Sequence, residues 1–92
     1  LNGWTALMFA ARGNIDITRL LIRKGADLNI KDNNGWSALI RASYEGNMDI
    51  ARLLEENGAN PFVKDNDRGW TALKWAEWRG YIRSYSKRSA SA

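Results

Sequence analysis

The sequence predicts an all-α solenoid of stacked helix-turn-helix units with projecting β-turn fingers. The main observation is a repeat of five residues: Gly-Trp-Thr-Ala-Leu at Gly3 returns as Gly-Trp-Ser-Ala-Leu at Gly35 and as Gly-Trp-Thr-Ala-Leu at Gly69, at spacings of 32 and 34. A second block, Gly-Asn-Ile-Asp-Ile at Gly13, returns as Gly-Asn-Met-Asp-Ile at Gly46. Two blocks that recur in one order with one period indicate a repeat architecture.

The first block of each unit predicts the start of a short helix. Thr5, Ser37 and Thr71 are good N-cap residues, because their side-chain oxygens can accept a hydrogen bond from the first helical turn. Alanine, the strongest helix former, follows each of them. The first helices are therefore predicted over residues 6–12, 38–44 and 72–78.

The second block predicts a second helix in each of the first two units. Gly13 and Gly46 are expected to end the first helix, and Asn14 and Asn47 are expected to cap the next one. Apolar residues then follow at i, i+3 and i+4, which predicts a buried stripe on each second helix. The stripe residues are Ile17, Leu20 and Leu21 in the first unit and Ile50, Leu53 and Leu54 in the second.

The third unit departs from this pattern. Counted from Gly80, its stripe positions hold Ser84, Lys87 and Arg88, which cannot cover an apolar core. One interpretation is a polar outer helix that caps the stack, and another is a disordered tail. In a third interpretation, one helix continues through Gly80, at a cost of about 1 kcal/mol for the interior glycine. That helix would present a single apolar stripe of Trp75, Trp78, Ile82 and Tyr85.

Length and composition restrict the function of the chain. Ninety-two residues allow one small domain, and the absence of cysteine and histidine excludes disulfide scaffolds, most zinc sites and histidine-based catalysis. The longest apolar run has six residues, whereas a membrane helix needs about 20. We therefore expect no enzyme activity, no cofactor, no metal and no membrane partner.

The net charge of +4 is unevenly distributed. Residues 1–78 contain ten cations and ten anions, so the surplus lies in the last fourteen residues. This end alternates aromatic and basic residues, which suits stacking on bases and neutralising phosphates. Nucleic acid is nevertheless the disfavoured partner, because four surplus positive charges attract the phosphate backbone only weakly. The residues concerned are Arg79, Tyr81, Arg83, Tyr85, Lys87 and Arg88.

The repeats resemble those of the ankyrin family, whose units open with Thr-Pro-Leu-His. The period, the Thr-Ala-Leu openings and Gly-Ala-Asp-Leu-Asn at residues 25–29 carry the resemblance. The proline of the family is alanine in all three units, and its histidine is Met8, Ile40 or Lys74. The resemblance implies a helix pair and a β-turn finger in each unit. It also implies an intracellular, cytoplasmic protein that binds another protein through its fingers and the concave face of its first helices.

The residues that match these contact positions, which also include Asn66, Asp67 and Arg79, form the candidate site together with residues that vary between units, such as Arg41 and Trp75. The tryptophans that recur in every unit can pack between units or contact a partner, and both roles stay open. Self-association through the aromatic third unit, small-ligand binding and an engineered scaffold are further alternatives. The predicted partner-binding residues are Arg12, Asn33, Asn34, Trp36, Arg41, Tyr44, Glu45, Arg68, Trp70, Trp75 and Trp78.

We expect a single domain over residues 1–88, with units of about 2–33, 34–67 and 68–88, followed by a flexible tail at 89–92. Two complete units and a remnant fall below the roughly three repeats that a stable stack usually needs. The chain is therefore expected to be marginally stable as a monomer, and a fragment of a longer array stays an open alternative.

Overall fold

The computed structural model describes residues 3–82 and shows five helices within them. α1 and α2 belong to the first unit, α3 and α4 to the second, and α5 to the third. α3 contacts both α1 and α5 in an inner layer, and α2 contacts α4 in an outer layer. The predicted α-solenoid is therefore confirmed. The helices are α1 (Ala6–Ala10), α2 (Ile15–Arg23), α3 (Ala38–Glu45), α4 (Met48–Glu56) and α5 (Ala72–Arg79).

The three inner helices begin where the sequence predicts. The side-chain oxygens of Thr5, Ser37 and Thr71 each accept a hydrogen bond from the backbone N–H three residues later, at 3.2, 3.2 and 3.3 Å. These bonds satisfy backbone donors that the first helical turn leaves without a partner. Each inner helix therefore starts from a local interaction within its own repeat.

The ends of the inner helices differ between units. Gly46 caps α3 in the left-handed conformation, with φ of 83°, as predicted. The prediction for Gly13 is wrong: α1 ends at Ala10, its C-cap is Ala11, and Gly13 does not adopt a positive φ. The first unit has one residue fewer between its Thr-Ala-Leu block and its Gly-Asn block. Its chain therefore turns toward α2 earlier than the chain of the second unit turns toward α4.

The two equivalent asparagines also play different roles. Asn14 caps α2, since its side-chain oxygen accepts from the backbone N–H of Ile17 at 3.0 Å. Asn47 makes no side-chain cap bond, so the prediction is wrong for it. Its Nδ2 instead donates to the backbone carbonyl of Ala11, 3.2 Å away in the first unit. This bond links the two repeats.

The predicted buried stripe is confirmed for Ile50 and Leu54 in the second unit and wrong for Ile17 and Leu20 in the first. Leu21 and Leu53 are only partly buried. Ile50 and Leu54 are buried, at 3% and 0% exposed, whereas Ile17 and Leu20 are 42% and 40% exposed. Thr18, which lies between them, is the fully buried residue of α2. α4 packs against α2, but no described helix covers the opposite side of α2. The same sequence pattern is therefore buried in one unit and partly exposed at the end of the stack.

An aspartate organises each finger. Asp32 Oδ1 accepts hydrogen bonds from the backbone N–H groups of Asn34 and Trp36, at 2.8 and 2.9 Å. Asp65 is the equivalent residue of the next finger, and its Oδ1 accepts from the N–H groups of Arg68 and Gly69 at 2.7 and 3.0 Å. Both aspartates are buried. Each carboxylate therefore replaces water as the acceptor for a tight turn.

Neighbouring fingers lie in direct contact. The backbone N–H of Asn66 donates to the carbonyl of Asn34 at 2.9 Å. At Gly35, where φ is 80°, a Cβ would lie 2.8 Å from the backbone nitrogen of Asn66. A side chain at this position would thus be strained and would also meet the next finger. The glycine allows the two fingers to stack.

The third unit ends its first helix at a glycine. α5 ends at Arg79, and Gly80 is its left-handed C-cap, with φ of 85°. The prediction of one continuous helix through Gly80 is therefore wrong. The predicted polar cap and the predicted tail lie outside the described residues. No helix within residues 3–82 has the length and apolar character needed to cross a bilayer.

Candidate functional site

The recurring tryptophans lie along one edge of the inner layer. Trp4, Trp36 and Trp70 each directly precede the N-cap of an inner helix, and all three are half-buried. The position five residues later, on the helix itself, holds Phe9, Arg41 or Trp75. We call these six residues the ladder.

Ladder residues of neighbouring units contact one another. The guanidinium carbon of Arg41 lies 4.6 Å from the ring centroid of Trp4 and 4.4 Å from that of Trp36. The ring of Trp75 in turn lies 5.1 Å from Trp36 and 4.7 Å from Trp70. Arg41 and Trp75 therefore each fill the space between the tryptophan of their own unit and that of the preceding unit. Phe9 packs against Trp4 within the first unit. Trp4 and Trp36 thus pack between units, whereas Trp70 packs against Trp75 and Trp78 of its own unit.

Trp75 is the buried centre of the third unit. It is 6% exposed, and its Nε1 donates to Asp65 Oδ2 at 2.6 Å, which joins the second finger to α5. This burial corrects the expectation that Trp75 offers its ring to a partner, because a neighbour on each side already covers the ring. Burial by itself would raise the pKa of Asp65. The hydrogen bonds from the Arg68 N–H and the Trp75 indole outweigh it and hold that pKa below its ordinary value.

A second row of side chains lies one turn further along the inner helices. Tyr44 packs edge-on against Trp36 and Trp75, with ring centroids 5.2 and 5.3 Å apart. Trp78, the equivalent residue of α5, is 59% exposed and lies 5.9 Å from the ring of Trp70. The exposed indole of Trp78 thus packs against the rings of Trp70 and Trp75.

Arg41 and Glu45 connect the first two units. Glu45 Oε2 lies 3.6 Å from Arg12 Nε and 3.8 Å from Arg41 Nη1. Burial lowers the pKa of Arg41, and the nearby carboxylates of Glu45 and Asp32 oppose this effect. Arg41 is therefore a charged packing residue, whereas the Arg12 side chain is largely exposed.

Two further cations lie on the aromatic side chains of the third unit. The guanidinium carbon of Arg68 lies 5.1 Å from the ring of Trp70 and 5.9 Å from that of Trp78. The Nζ of Lys74 lies 5.5 Å from the ring of Trp70. All three distances are within the range of cation–π attraction. The rings thus hold cations at the surface of the third unit.

Arg79 forms the corresponding contact with the second unit. Its guanidinium carbon lies 4.4 Å from the ring of Tyr44, and its Nη2 donates to the Tyr81 hydroxyl at 3.0 Å. That hydrogen bond raises the pKa of Arg79. The partner-binding prediction did not include Phe9, Lys74 or Tyr81. The five-residue spacing from each tryptophan could have revealed Phe9, because it also selects Arg41 and Trp75.

The predicted asparagines of the first finger contact the next finger. Asn33 and Asn34 are both exposed. Their carbonyls accept hydrogen bonds from the side chain and backbone of Asn66, at 3.4 and 2.9 Å. The structure thus brings the predicted residues of the inner helices into one cluster and places the predicted asparagines on the stacked fingers. Within residues 3–82, no group of three or more acidic side chains is placed to hold a metal ion.

Stacked helix pairs with projecting fingers define a helical repeat protein of the solenoid class. A sequence model described as ankyrin repeats, in three copies, matches residues 1–65, and the chain belongs to the ankyrin repeat family. Ankyrin repeats are generally protein-interaction modules and are typically not catalytic.

Two curated relatives share a segment with this chain. Protein phosphatase 1 regulatory subunit 12A of Mus musculus and its counterpart in Rattus norvegicus are each 46% identical over 44 residues. That segment is 47% of this chain and 4% of either relative. The similarity therefore concerns a small part of those proteins.

Proposed function

We propose that the chain recognises another protein through one surface, which we call the contact face. It consists of the exposed edge of the ladder, the second row of side chains and the finger tips. The main support for this proposal is Trp78, whose large apolar ring is 59% exposed and packs against the rings of Trp70 and Trp75. Such a supported ring loses little conformational entropy when a partner covers it, and tryptophan is enriched among residues that dominate binding energy.

The surroundings of Trp78 support the same role. Arg68 and Lys74 lie beside the aromatic cluster, so a partner would meet an apolar centre bordered by polar groups. This arrangement is typical of protein interfaces. The exposed amides of Asn33 and Asn34 add hydrogen-bonding groups on the fingers.

The relatives support a binding role rather than a catalytic one. Both relatives are named as a regulatory subunit of a phosphatase, and the shared segment lies within that subunit. We propose that this chain likewise acts by binding, in an intracellular, cytoplasmic setting as the family favours. The predicted domain over residues 1–88 would present the contact face.

Selection from a displayed library of protein fragments tests the proposal. The full 92-residue chain is immobilised, and the dissociation constants of selected fragments are measured against wild type and Trp78→Ala. We expect Trp78→Ala to weaken binding by about tenfold or more, because it removes the supported ring. Phe62→Ala is the matched control: Phe62 is 79% exposed but lies in the turn after α4. It should change binding by less than about twofold.

Far-UV circular dichroism must first show that both variants keep the wild-type helix content. Unchanged binding by folded Trp78→Ala would place the contact elsewhere and contradict the proposal. Sedimentation velocity tests the self-association alternative. A dimer that Trp78→Ala dissociates would show that the partner is a second copy of the chain.

A further inference from the structure

The contact face carries a surplus of exposed positive charge. Glu45 is already paired with two arginines, and Asp32 and Asp65 are buried acceptors of the finger turns. Glu77 is half-buried and is the equivalent of Ser43, which lines a cavity with Met48 and Ala51 of α4. Asp67, on the second finger, is the exposed acid of this region. The exposed cations are Arg12, Arg68, Lys74 and Arg79.

Two of these cations are arginines that lie on aromatic rings. Arg68 lies over the ring of Trp70, and Arg79 lies over that of Tyr44. A guanidinium that rests on a ring keeps its N–H groups in its own plane, where they can form two parallel bonds to a carboxylate. Because the rings already restrict these long side chains, less entropy is lost when a ligand binds.

No described ion pair uses the guanidinium groups of Arg68 and Arg79, although Arg79 donates one hydrogen bond to the Tyr81 hydroxyl. Both side chains belong to exposed residues. They therefore keep donors that an incoming anion can accept. Trp78 lies beside Arg68, so an anionic ligand with an apolar group could satisfy both.

The ring geometry favours a peptide over a nucleic acid. Binding of single strands relies on bases that stack flat on open aromatic faces. Here the rings of Trp70, Trp75 and Trp78 meet at angles of 57° to 90°, and the guanidinium carbon of Arg68 lies within 5.9 Å of all three ring centroids. Rings tilted in this way do not offer the parallel faces on which successive bases of a strand stack. Carboxylates on a flexible peptide can instead accept hydrogen bonds from the N–H groups at the edges of the guanidinium groups.

We infer that the partner segment recognised by the contact face is an acidic stretch of protein, whose carboxylates pair with Arg68 and Arg79 while an apolar side chain covers Trp78. This inference rests on the proposed function and specifies the chemistry of its partner. The ring-held arginines supply the charge, and Trp78 supplies the apolar contact.

Fluorescence anisotropy with a labelled octaglutamate peptide tests the inference on the full chain. We expect octaglutamate to bind wild type, and the double variant Arg68→Ala and Arg79→Ala to weaken binding by about tenfold. The control removes the same charge from the outer helices through Arg23→Ala and Arg52→Ala, and should change affinity by less than about twofold. Raising the salt concentration should weaken all complexes by screening.

A second pair of variants serves if the alanine substitutions unfold the chain. Arg68→Lys and Arg79→Lys keep the charge but lose the planar fork, so binding should weaken by at least about threefold. Wild-type affinity in this pair would overturn the role of the ring-held guanidinium groups. An equal loss in the outer-helix control would show that net charge alone is responsible, which would also overturn it.

The remaining outcomes separate this inference from the proposed function. If wild type does not bind octaglutamate, or binds a ten-residue oligothymidine more tightly, the acidic-peptide inference is wrong. Selected fragments that depend on Trp78 but are neutral or basic would overturn the inference and leave the proposed function intact. Acidic fragments that depend on both Trp78 and the two arginines would support both.

Discussion

Replacing Ile17 and Ile50 with alanine makes the same change at equivalent positions of two repeats. Both are the third residue of an outer helix and follow an aspartate. Any gain in helix propensity from alanine is therefore common to both variants and cancels in the comparison. The remaining difference comes from the surroundings, because Ile50 is 3% exposed and Ile17 is 42% exposed.

The magnitudes follow from the carbon atoms removed. Isoleucine to alanine deletes three carbons, worth about 0.8 kcal/mol each when fully buried, or about 2.4 kcal/mol in total. Ile50 loses nearly all of this and leaves a cavity, so its variant should lose about 3 to 4 kcal/mol. Ile17 is roughly half exposed and leaves a gap open to water, so its variant should lose about 1.4 kcal/mol. The expected difference is about 2 kcal/mol.

Urea unfolding followed by circular dichroism measures this difference. The slope of the free energy of unfolding against urea should be the same in both variants, so that the midpoints report stability alone. Equal losses for Ile17→Ala and Ile50→Ala, at every protein concentration, would refute the reasoning. Such a result would mean that the outward side of α2 is covered in solution.

Three further substitutions test the packing of the fingers and the ladder. In thermal melts, Gly35→Ala should cost at least about 1 kcal/mol more than Gly69→Ala: φ is positive at both, but only the Cβ at position 35 would meet a neighbour within 4 Å. Trp75→Phe should cost about 2 kcal/mol at pH 7, because it removes a donor from buried Asp65. Since hydrogen bonds lower the pKa of Asp65, their stabilisation is present above the unfolded pKa of about 3.9 and is lost as pH falls through the lower folded value. The Trp75→Phe loss should therefore shrink between pH 5 and pH 2 in urea titrations, and a loss independent of pH would contradict this role. Arg41→Lys should lower the free energy of unfolding by about 1 kcal/mol, because it removes the stacked guanidinium. Wild-type stability of this variant would contradict the packing role of Arg41 in the ladder.

Residues that act within one repeat could be predicted from the sequence. The caps of Thr5, Ser37 and Thr71 bond to groups three residues away, and Gly46 adopts a left-handed φ that the end of its helix requires. Such interactions depend on local spacing, and the repeat shows that spacing in each unit. The wrong prediction for Gly13 also has a local cause, because the first unit has one residue fewer and its turn is therefore shorter.

The candidate site was only partly predictable for a different reason. Arg41 and Trp75 both follow a recurring tryptophan by five residues, but the sequence does not reveal that each lies between the tryptophans of two units. The prediction therefore placed Trp75 on the surface, whereas its burial leaves Trp78 as the exposed indole. The spacing identifies the positions, and the stack determines their exposure.

The sequence by itself determined the repeat period, the helix starts and the order of the units, because these follow from interactions between residues close in the chain. Only the tertiary structure decided which copy of a repeated residue is covered. Ile17 and Ile50 have the same local pattern, yet burial depends on whether another helix lies alongside. Asn14 and Asn47 show the same principle for polar groups, since one caps its own helix and the other bonds to the preceding unit. Contacts between units depend on neighbours in space, which the local sequence of a single unit does not specify.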